Sequence, residues 1–422
     1  MSESRPVVFP VVEQHAEEAG FLWMQRRNAL VAPNVTLRHL ARLEERLVAH
    51  IDGVRIAKEV GDAACLMQLA GGEPGPLFVV TVLAVEAGAA ERLERLLALG
   101  EALPQARCGL FAAFGWSESA DLRGIVASML GSPSAFRRLA GTVACSMHRV
   151  DPGIISGRRL EDPDPAVRAR ALRATGELGR QEFVSRLLDW IDDEDPACQF
   201  WASWSAVLLG DRNKAHGRLL SDGLCDGPER SRAFQLALMS MNVNGAHGVL
   251  QQLAQDADDA AARRGLILGS GLAGDPRYVS WLIGQMKDEK LARLAGEAFS
   301  LITGADLTAL NLRYARPDLE TGPNDNPEDD NVDVDVDGGL TWPDADKIQK
   351  WWSANESRFQ KGTRYFMGQP VTREHCIEVL KNGYQRQRIL AAHYLCLLDP
   401  GTPLFNTSAP AWRQQKLLAS MK

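Results

Sequence analysis

Hydrophobic positions recur at helical spacing between Leu160 and Ile191, in the stretch LEDPDPAVRARALRATGELGRQEFVSRLLDWI. Spacings of three and four residues place these positions on one face of an α-helix. The pattern predicts two amphipathic helices, and because a short pair cannot bury both apolar faces alone, neighbouring pairs should stack. The two apolar runs are Val167, Ala171, Leu172 and Leu178, then Val184, Leu187, Leu188 and Ile191.

The same helix pair recurs along the chain. A shift of 95 residues places Gly176 on Gly271 and Gly179 on Gly274. With Asp151-Pro152-Gly153 filling one gap, seven steps over 216 residues separate Gly88 from Gly304. The mean step of about 31 residues lies in the range of roughly 30 to 45 that is typical of helical-pair solenoids. Each glycine predicts the left-handed end of a first helix. The glycines that mark the steps are Gly88, Gly115, Gly179, Gly210, Gly245, Gly274 and Gly304.

Asp-Pro pairs predict the helix starts, because proline suits the first turn and aspartate caps its free amides. They are Asp162-Pro163, Asp164-Pro165, Asp195-Pro196 and Asp275-Pro276. Residues 160–179 resemble the repeats of the HEAT and armadillo families, with the pattern L-x-D-P-x-x-x-V-R-x-x-A-L-x-x-x-G-x-x-G. The predicted fold is therefore all-α, a right-handed α-solenoid of HEAT-like helical pairs with an acidic irregular loop before a terminal helical unit.

A competing interpretation comes from GSGLAG at residues 269–274, which spells the dinucleotide fingerprint G-x-G-x-x-G. That motif works only where a strand turns into a helix whose amide end holds a pyrophosphate. Two of its glycines, Gly271 and Gly274, recur in the repeat without the fingerprint. We therefore expect a close helix crossing at Gly271 and a helix end at Gly274.

The predicted domains are an N-terminal helical cap at 1–59, a repeat solenoid at 60–316, an acidic loop at 317–343 and a C-terminal helical unit at 344–422 that closes the solenoid. In the cap, Leu40, Leu43, Leu47 and Val54 lie near one helical face. In the last unit, Trp351 and Trp352 share a helical face and are expected to be core residues.

The cysteine pattern, the apolar runs and the net charge exclude several classes of function. Seven cysteines without a C-x-x-C pair argue against a disulfide framework. There is no run of apolar residues long enough to span a membrane and no signal-peptide pattern, so we expect a cytoplasmic protein with no membrane partner. The net charge of −7 argues against a nucleic-acid partner.

The negative charge is concentrated in one segment. Residues 317–346 contain eleven acidic residues and no lysine or arginine, so with −7 for the whole chain and −11 here the remainder carries +4. Prolines, glycines and like charges predict an exposed loop. An alternative is a calcium loop, whose positions would be taken by Asp333, Asp335, Asp337, Gly338, Leu340 and Asp344. Aspartate at the last position and the absence of an entering helix disfavour it.

Candidate chemistry is sparse. His15 with Glu18 and His39 with His50 invite a metal interpretation, but neither pair has the spacing of a helical zinc site, so a solvated or capping role is favoured. No nucleophile elbow, zinc-protease helix or phosphate loop occurs. We expect no enzyme activity, no catalytic residues, no bound metal and no cofactor, and we expect a curved surface that binds a protein.

Several sequence motifs resemble those of a family of bacterial HEAT-like proteins associated with type VI secretion gene clusters. They lie at Glu13 to Trp23, Leu37 to Gly53, Trp342 to Asp344, Trp351 to Asn355, Gly362 to Pro370 and Gln385 to Ala392. The resemblance implies that the partner is a type VI secretion toxin effector or a spike component. The preferred role is an immunity protein that neutralises a toxin such as a nuclease, and the alternatives are an adaptor that loads an effector onto the spike and a calcium-dependent interaction module.

A charge argument selects the binding residues. Many antibacterial effectors are nucleases with basic clefts, and an acidic loop could occupy such a cleft as a phosphate mimic. The predicted partner-binding residues are Asp329, Asp330, Asp333, Asp335 and Asp337.

Overall fold

A computed structural model describes residues 7–151, 159–255, 260–314 and 335–421. Regular secondary structure in the described residues is almost all helical, with one two-stranded antiparallel ribbon, which confirms the predicted all-α solenoid of HEAT-like helical pairs. The first helices are α1 (Phe9–Ala29), α2 (Leu37–Ile56), α3 (Glu59–Gln68), α4 (Pro74–Glu86), α5 (Ala90–Ala102), α6 (Arg107–Trp116), α7 (Ile125–Gly131), α8 (Ala135–Met147), α9 (Pro165–Glu177), α10 (Val184–Leu188) and α11 (Pro196–Leu208).

The chain continues with α12 (Lys214–Leu224), α13 (Arg230–Ser240), α14 (Val243–Gln255), α15 (Ala260–Ala273), α16 (Val279–Gln285), α17 (Glu289–Thr303), α18 (Ala345–Asn355), β1 (Tyr365–Phe366), β2 (Gln369–Pro370), α19 (Arg373–Asn382), α20 (Gln385–Leu398) and α21 (Ala411–Ser420). Two compact units divide it: the first contains Met1–Ala215 with Leu380–Lys422, and the second contains His216–Val379. The domain boundaries expected from the sequence stay predictions.

The helix starts follow the Asp-Pro pairs. The Asp164 side chain accepts hydrogen bonds from the backbone N–H of Ala166 and Val167, at 3.0 and 3.1 Å, and so caps α9. Asp195 caps α11 and Asp275 caps the short 3-10 turn before α16 in the same way. Three of the four predicted starts are therefore confirmed, because each aspartate satisfies amides that a helix leaves free at its beginning.

The fourth aspartate, Asp162, has a different role. It accepts a backbone hydrogen bond from Asp164 at 3.1 Å and a bidentate pair from Arg138 at 2.7 and 2.8 Å. Asp193 repeats this arrangement one unit later, with a backbone bond from Asp195 and an ion pair to Arg168. The aspartate that precedes the cap therefore ties one repeat to the preceding one.

Five of the seven predicted glycine ends have a positive φ: Gly88, Gly179, Gly210, Gly274 and Gly304. The prediction was wrong for Gly115 and Gly245, which lie inside α6 and α14. A Cβ on Gly115 would approach the Met147 sulfur to 2.5 Å, so close helix packing explains that glycine. Gly245 lies in the first turn of α14 and its N–H donates to Asn242 Oδ1 at 2.8 Å.

The expected helical setting of the G-x-G-x-x-G motif is confirmed. Gly269 and Gly271 lie inside α15, and Gly274 follows its end with φ +69°. A Cβ on Gly271 would be 3.1 Å from Ala298 Cα, which is the close helix crossing predicted there. The motif does not form the strand-to-helix turn on which a pyrophosphate would bind.

In the first unit, α1 packs against α2, α3 and α4. Trp23 stacks on Phe78 at a centroid distance of 5.2 Å, and Trp116 meets Phe78 edge to face at 5.7 Å. On α2, Leu40, Leu47 and Val54 are buried and Leu43 is partly buried, as the amphipathic pattern predicts.

The segment at 399–413 contacts the C-terminal ends of α6 and α9 in the first unit. The Leu404 N–H donates to Glu177 O at 2.9 Å, and Arg149 Nε donates to Leu404 O at 2.7 Å. Arg413 donates to the carbonyl oxygens of Gly115 and Ser117 at 2.9 and 3.0 Å. The bonds to Glu177, Gly115 and Ser117 satisfy carbonyls that a helix leaves free at or next to its end.

The second unit repeats the arrangement with residues 362–368. Tyr365 N–H donates to Gly274 O at 2.8 Å, and Met367 N–H donates to Leu301 O at 2.6 Å. Arg364 donates to the carbonyl oxygen of Ala273. On α18, Trp352 is buried against Phe359 and Trp351 is partly buried, which confirms the predicted core role of the tryptophans.

Candidate functional site

The five predicted partner-binding aspartates fall into two groups. Asp329, Asp330 and Asp333 lie outside the described residues, whereas Asp335 and Asp337 lie within them. That all five bind a partner stays a prediction. The two described aspartates nevertheless show how the C-terminal end of the acidic segment meets the repeats.

Asp335 and Asp337 each form a bidentate ion pair with an arginine of a repeat helix. Arg293 of α17 donates to both oxygens of Asp335 at 2.6 and 2.7 Å, and Arg264 of α15 donates to both oxygens of Asp337 at 2.5 and 2.8 Å. Asp337 is buried. Two parallel charge-assisted bonds fix orientation as well as position, so these carboxylates are anchoring groups within the second unit.

The described residues just before the acidic segment pair with residues at its C-terminal end. Arg313 and Pro343 form an isolated antiparallel bridge, and Asp344 N–H donates to Leu312 O at 2.9 Å. The Arg293 guanidinium lies over the Trp342 ring at 4.7 Å from its centroid. Residues 312–314 and 335–344 therefore form one paired base in the second unit, which we call the stem.

The same contacts bear on the calcium interpretation. Asp335 and Asp337 direct their oxygens to arginines, and Asp344 caps α18 by accepting from Lys347 N–H at 3.0 Å. Three of the proposed calcium ligands are thus engaged within the chain. Among the described residues, no three histidine, cysteine, aspartate or glutamate side chains are grouped to hold a metal ion.

A second charged cluster, which sequence reasoning missed, surrounds Glu177 at the end of α9 in the first unit. We call it the arginine cluster (Arg149, Arg170, Arg173 and Glu177). Glu177 Oε1 accepts from Arg173 Nε at 2.8 Å, and Oε2 accepts from Arg170 at 3.0 Å and Arg149 at 3.3 Å. The signal was present in the sequence: Arg170, Arg173 and Glu177 have the i, i+3, i+7 spacing of one helical face.

Electrostatics in the arginine cluster are strongly perturbed. Burial alone would raise the pKa of Glu177, but the three arginines outweigh it and lower that pKa to about 2. Burial lowers the pKa of Arg170 to about 10, and repulsion from Arg173 and Arg149 acts in the same direction. Nearby on α20, burial and Arg173 lower the pKa of His393 to about 4. Three cations therefore share one carboxylate.

His15 lies beside His50, and His39 caps a helix. His15 Nδ1 lies 3.2 Å from His50 Nδ1, so His50 pairs with His15 instead of His39. His39 belongs to the capping box of α2, in which its Nδ1 accepts from Thr36 N–H at 3.3 Å. The favoured capping role is thus confirmed for His39.

Comparison with known proteins identifies the repeat type. A family model described as HEAT repeats matches residues 157–238. No curated protein and no solved structure gave a significant match. The matched range contains the arginine cluster residues of α9 and the helices from α9 to most of α13. HEAT repeats are protein-binding scaffolds, so protein binding is the class of function that the match supports. None of the described helices is both long and apolar enough to cross a membrane.

Proposed function

We propose that this chain is a non-enzymatic scaffold that binds a basic protein partner through its acidic segment. The stem is the observation that supports the proposal. Its two sides flank residues 315–334, about twenty residues, and pair with each other at Arg313 and Pro343. Asp335 and Asp337 join the second side to α17 and α15. A long segment tethered at both ends loses less conformational freedom on binding than a free tail, because its ends are already fixed.

The aspartates of the acidic segment are of two kinds: those paired with an arginine at the stem and those that precede the stem residues 335–344. Asp335 and Asp337 are each compensated by an arginine and serve as anchors. Seven of the eleven acidic residues precede Asp335, including Asp329, Asp330 and Asp333. In this proposal these three make the partner contact, and Asp335 and Asp337 position them.

The partner is proposed to present a basic cleft. A strongly acidic segment accelerates encounter with a basic surface and disfavours acidic partners. By resemblance, the partner would be a type VI secretion effector, and the preferred role is an immunity protein that neutralises a toxin, such as a nuclease, by occupying its substrate cleft. This assignment rests on the resemblance of the sequence motifs given above. The proposed protein-binding role does not depend on it.

The binding test uses two charge variants. The triple variant Asp329→Asn, Asp330→Asn and Asp333→Asn should slow association with a partner captured from the native bacterium. If steering by eleven acidic residues contributes about 10- to 1,000-fold and is shared equally, three charges account for roughly 2- to 7-fold at low salt. The difference in association rate between the triple variant and the wild type should become smaller as salt screens the charges. Surface plasmon resonance at two salt concentrations measures both effects.

A control variant with Glu91→Gln, Asp192→Asn and Asp226→Asn removes the same charge from exposed positions outside the segment. It should leave the association rate nearly unchanged. Equal association rates for the triple variant and the wild type at low salt would exclude the segment from the interface. The double variant Asp335→Asn and Asp337→Asn should instead loosen the stem, which hydrogen exchange at residues 335–344 would detect.

The immunity role has a separate test. Co-expression of the captured partner should poison a host cell unless this chain is present, and the triple variant should protect less well than the control variant. If deletion of the chain stops secretion of the partner without poisoning the producing cell, the immunity role is wrong and the adaptor role takes its place.

A further inference from the structure

The arginine cluster carries more positive charge than its surroundings neutralise. Three guanidinium groups contact the single carboxylate of Glu177, at 2.8 to 3.3 Å. The C-terminal end of α9 contributes about half a negative charge, which leaves an excess of roughly +1.5. An excess of that size in a largely buried site costs free energy that a bound anion would recover.

Donor groups in the cluster remain unused. Arg170 Nη1 is buried and makes no hydrogen bond within the described part of the chain. Arg173 uses its Nε on Glu177, and the described residues offer no hydrogen-bond partner to its two terminal nitrogens. Unpaired buried donors are uncommon in folded proteins and call for an explanation such as a ligand, an ion or ordered water.

The cluster is also accessible at one edge. The Arg173 side chain is 38% exposed, whereas Glu177 is buried. The Arg173 guanidinium lies over the Trp201 ring at 4.4 Å from its centroid, so this aromatic surface holds it in place. Trp204 and His393 pack edge to face beside it, at a centroid distance of 5.9 Å. A ligand can therefore approach Arg173 from solvent while the rest of the cluster stays preorganised.

We propose that Arg149, Arg170 and Arg173 form a binding site for a small oxyanion with two negative charges, for which inorganic phosphate is the probe. Arg173 makes the first contact with its exposed terminal nitrogens, because planar guanidinium groups match the oxygens of a phosphate. Arg170 and Arg149 supply the buried positive charge behind it. The site lies in the first unit and is independent of the acidic segment and its partner.

Calorimetric titration of the full chain with sodium phosphate tests the proposal, with sodium chloride at equal ionic strength as the reference. Tryptophan fluorescence provides a second readout, because the ring of Trp201, one of the ten tryptophans, contacts Arg173. Saturable heat and a fluorescence change with phosphate but not with chloride are expected. Sodium acetate forms a third arm, and acetate binding as tight as that of phosphate would overturn the preference for a doubly charged anion.

The variants locate the site. Arg173→Gln should weaken phosphate binding roughly 10-fold or more, which is the range for hydrogen bonds to a charged group. Arg180→Gln is the matched control, since Arg180 pairs with carboxylates of Asp151 and Glu182 outside the cluster. It should bind phosphate as the wild type does. Arg173→Lys keeps the charge but loses the planar donor set, and an intermediate affinity is expected.

Two results would overturn the proposal. One is the absence of saturable heat with phosphate in the wild type. The other is an unchanged phosphate affinity in a folded Arg173→Gln protein, or in Arg173→Lys if the glutamine variant does not fold. Circular dichroism of each variant separates loss of binding from loss of helix.

Discussion

Replacing Glu177 by glutamine removes the buried carboxylate that Arg149, Arg170 and Arg173 share. The pKa of Glu177 is lowered from 4.5 to about 2. At 1.36 kcal/mol per pKa unit, a shift of about 2.5 units corresponds to roughly 3 kcal/mol of stability at neutral pH. The Glu177 side chain is only 4% exposed, so solvent screens little of this interaction. We therefore expect Glu177→Gln to destabilise the first unit by about 3 kcal/mol at pH 7.

The same shift predicts a pH dependence. Because the pKa of Glu177 is lower in the folded protein than in the unfolded chain, the unfolded chain binds the proton first as the pH falls. The stabilisation is complete above pH 4.5 and is lost as the pH falls from there to about 2. The glutamine variant cannot titrate at this position. The difference in stability between wild type and variant should therefore shrink progressively below pH 4.5.

Urea unfolding at pH 7, 4 and 3 measures that difference, with near-ultraviolet circular dichroism as a readout of tertiary packing. Glu182→Gln is the control, because Glu182 is exposed and forms an ion pair with Arg180 outside the arginine cluster. An exposed pair contributes at most about 1 kcal/mol, so this control should change little. The proposed electrostatic role of Glu177 would be refuted if the free energies of unfolding of wild type and Glu177→Gln differed by less than about 1 kcal/mol at pH 7. A difference that stayed constant down to pH 3 would refute it too.

Two further predictions concern packing in the first unit. Gly179→Ala should lower the melting temperature more than Gly88→Ala, because both have a positive φ but only at Gly179 would a Cβ overlap the Gly401 carbonyl oxygen. The left-handed conformation costs alanine roughly 1 to 2 kcal/mol at either site. Arg26→Met should cost about 3 to 5 kcal/mol in urea unfolding, because it leaves the buried Glu44 carboxylate unpaired. Glu44→Gln, which keeps an acceptor for Arg26, should cost less.

Local signals in the sequence predicted much of the fold. Apolar spacing, Asp-Pro pairs and glycines each act within one or two helical turns, and they correctly predicted the start of α9 at Asp164 and its end before Gly179. The same reasoning identified Gly271 as a helix crossing. These features depend on capping and on helical periodicity, which a short stretch of sequence fully specifies.

Features that depend on distant residues were not predictable in this way. The grouping of residues 380–422 with the first unit depends on contacts such as Arg26 with the carbonyl oxygens of Ser408 and Ala409, more than 380 positions apart. Gly115 matched the repeat spacing, yet its purpose is contact with Met147 of another helix. Arg149 joins the arginine cluster from a separate helix end, so helical spacing alone could not include it.

Some of the glycines that were correctly predicted at helix ends are required for two reasons, a left-handed backbone and close packing. Gly88 ends its helix with nothing within 4 Å of the position that a Cβ would occupy, so its backbone conformation alone explains the residue. At Gly179 and Gly274, the carbonyl oxygens of Gly401 and Tyr365 occupy the space that a Cβ would take. The returning segments can therefore approach the exposed helix carbonyls only because these positions lack a side chain. A glycine that ends a helix here also admits the chain that covers that end, and this second requirement follows from the tertiary structure alone.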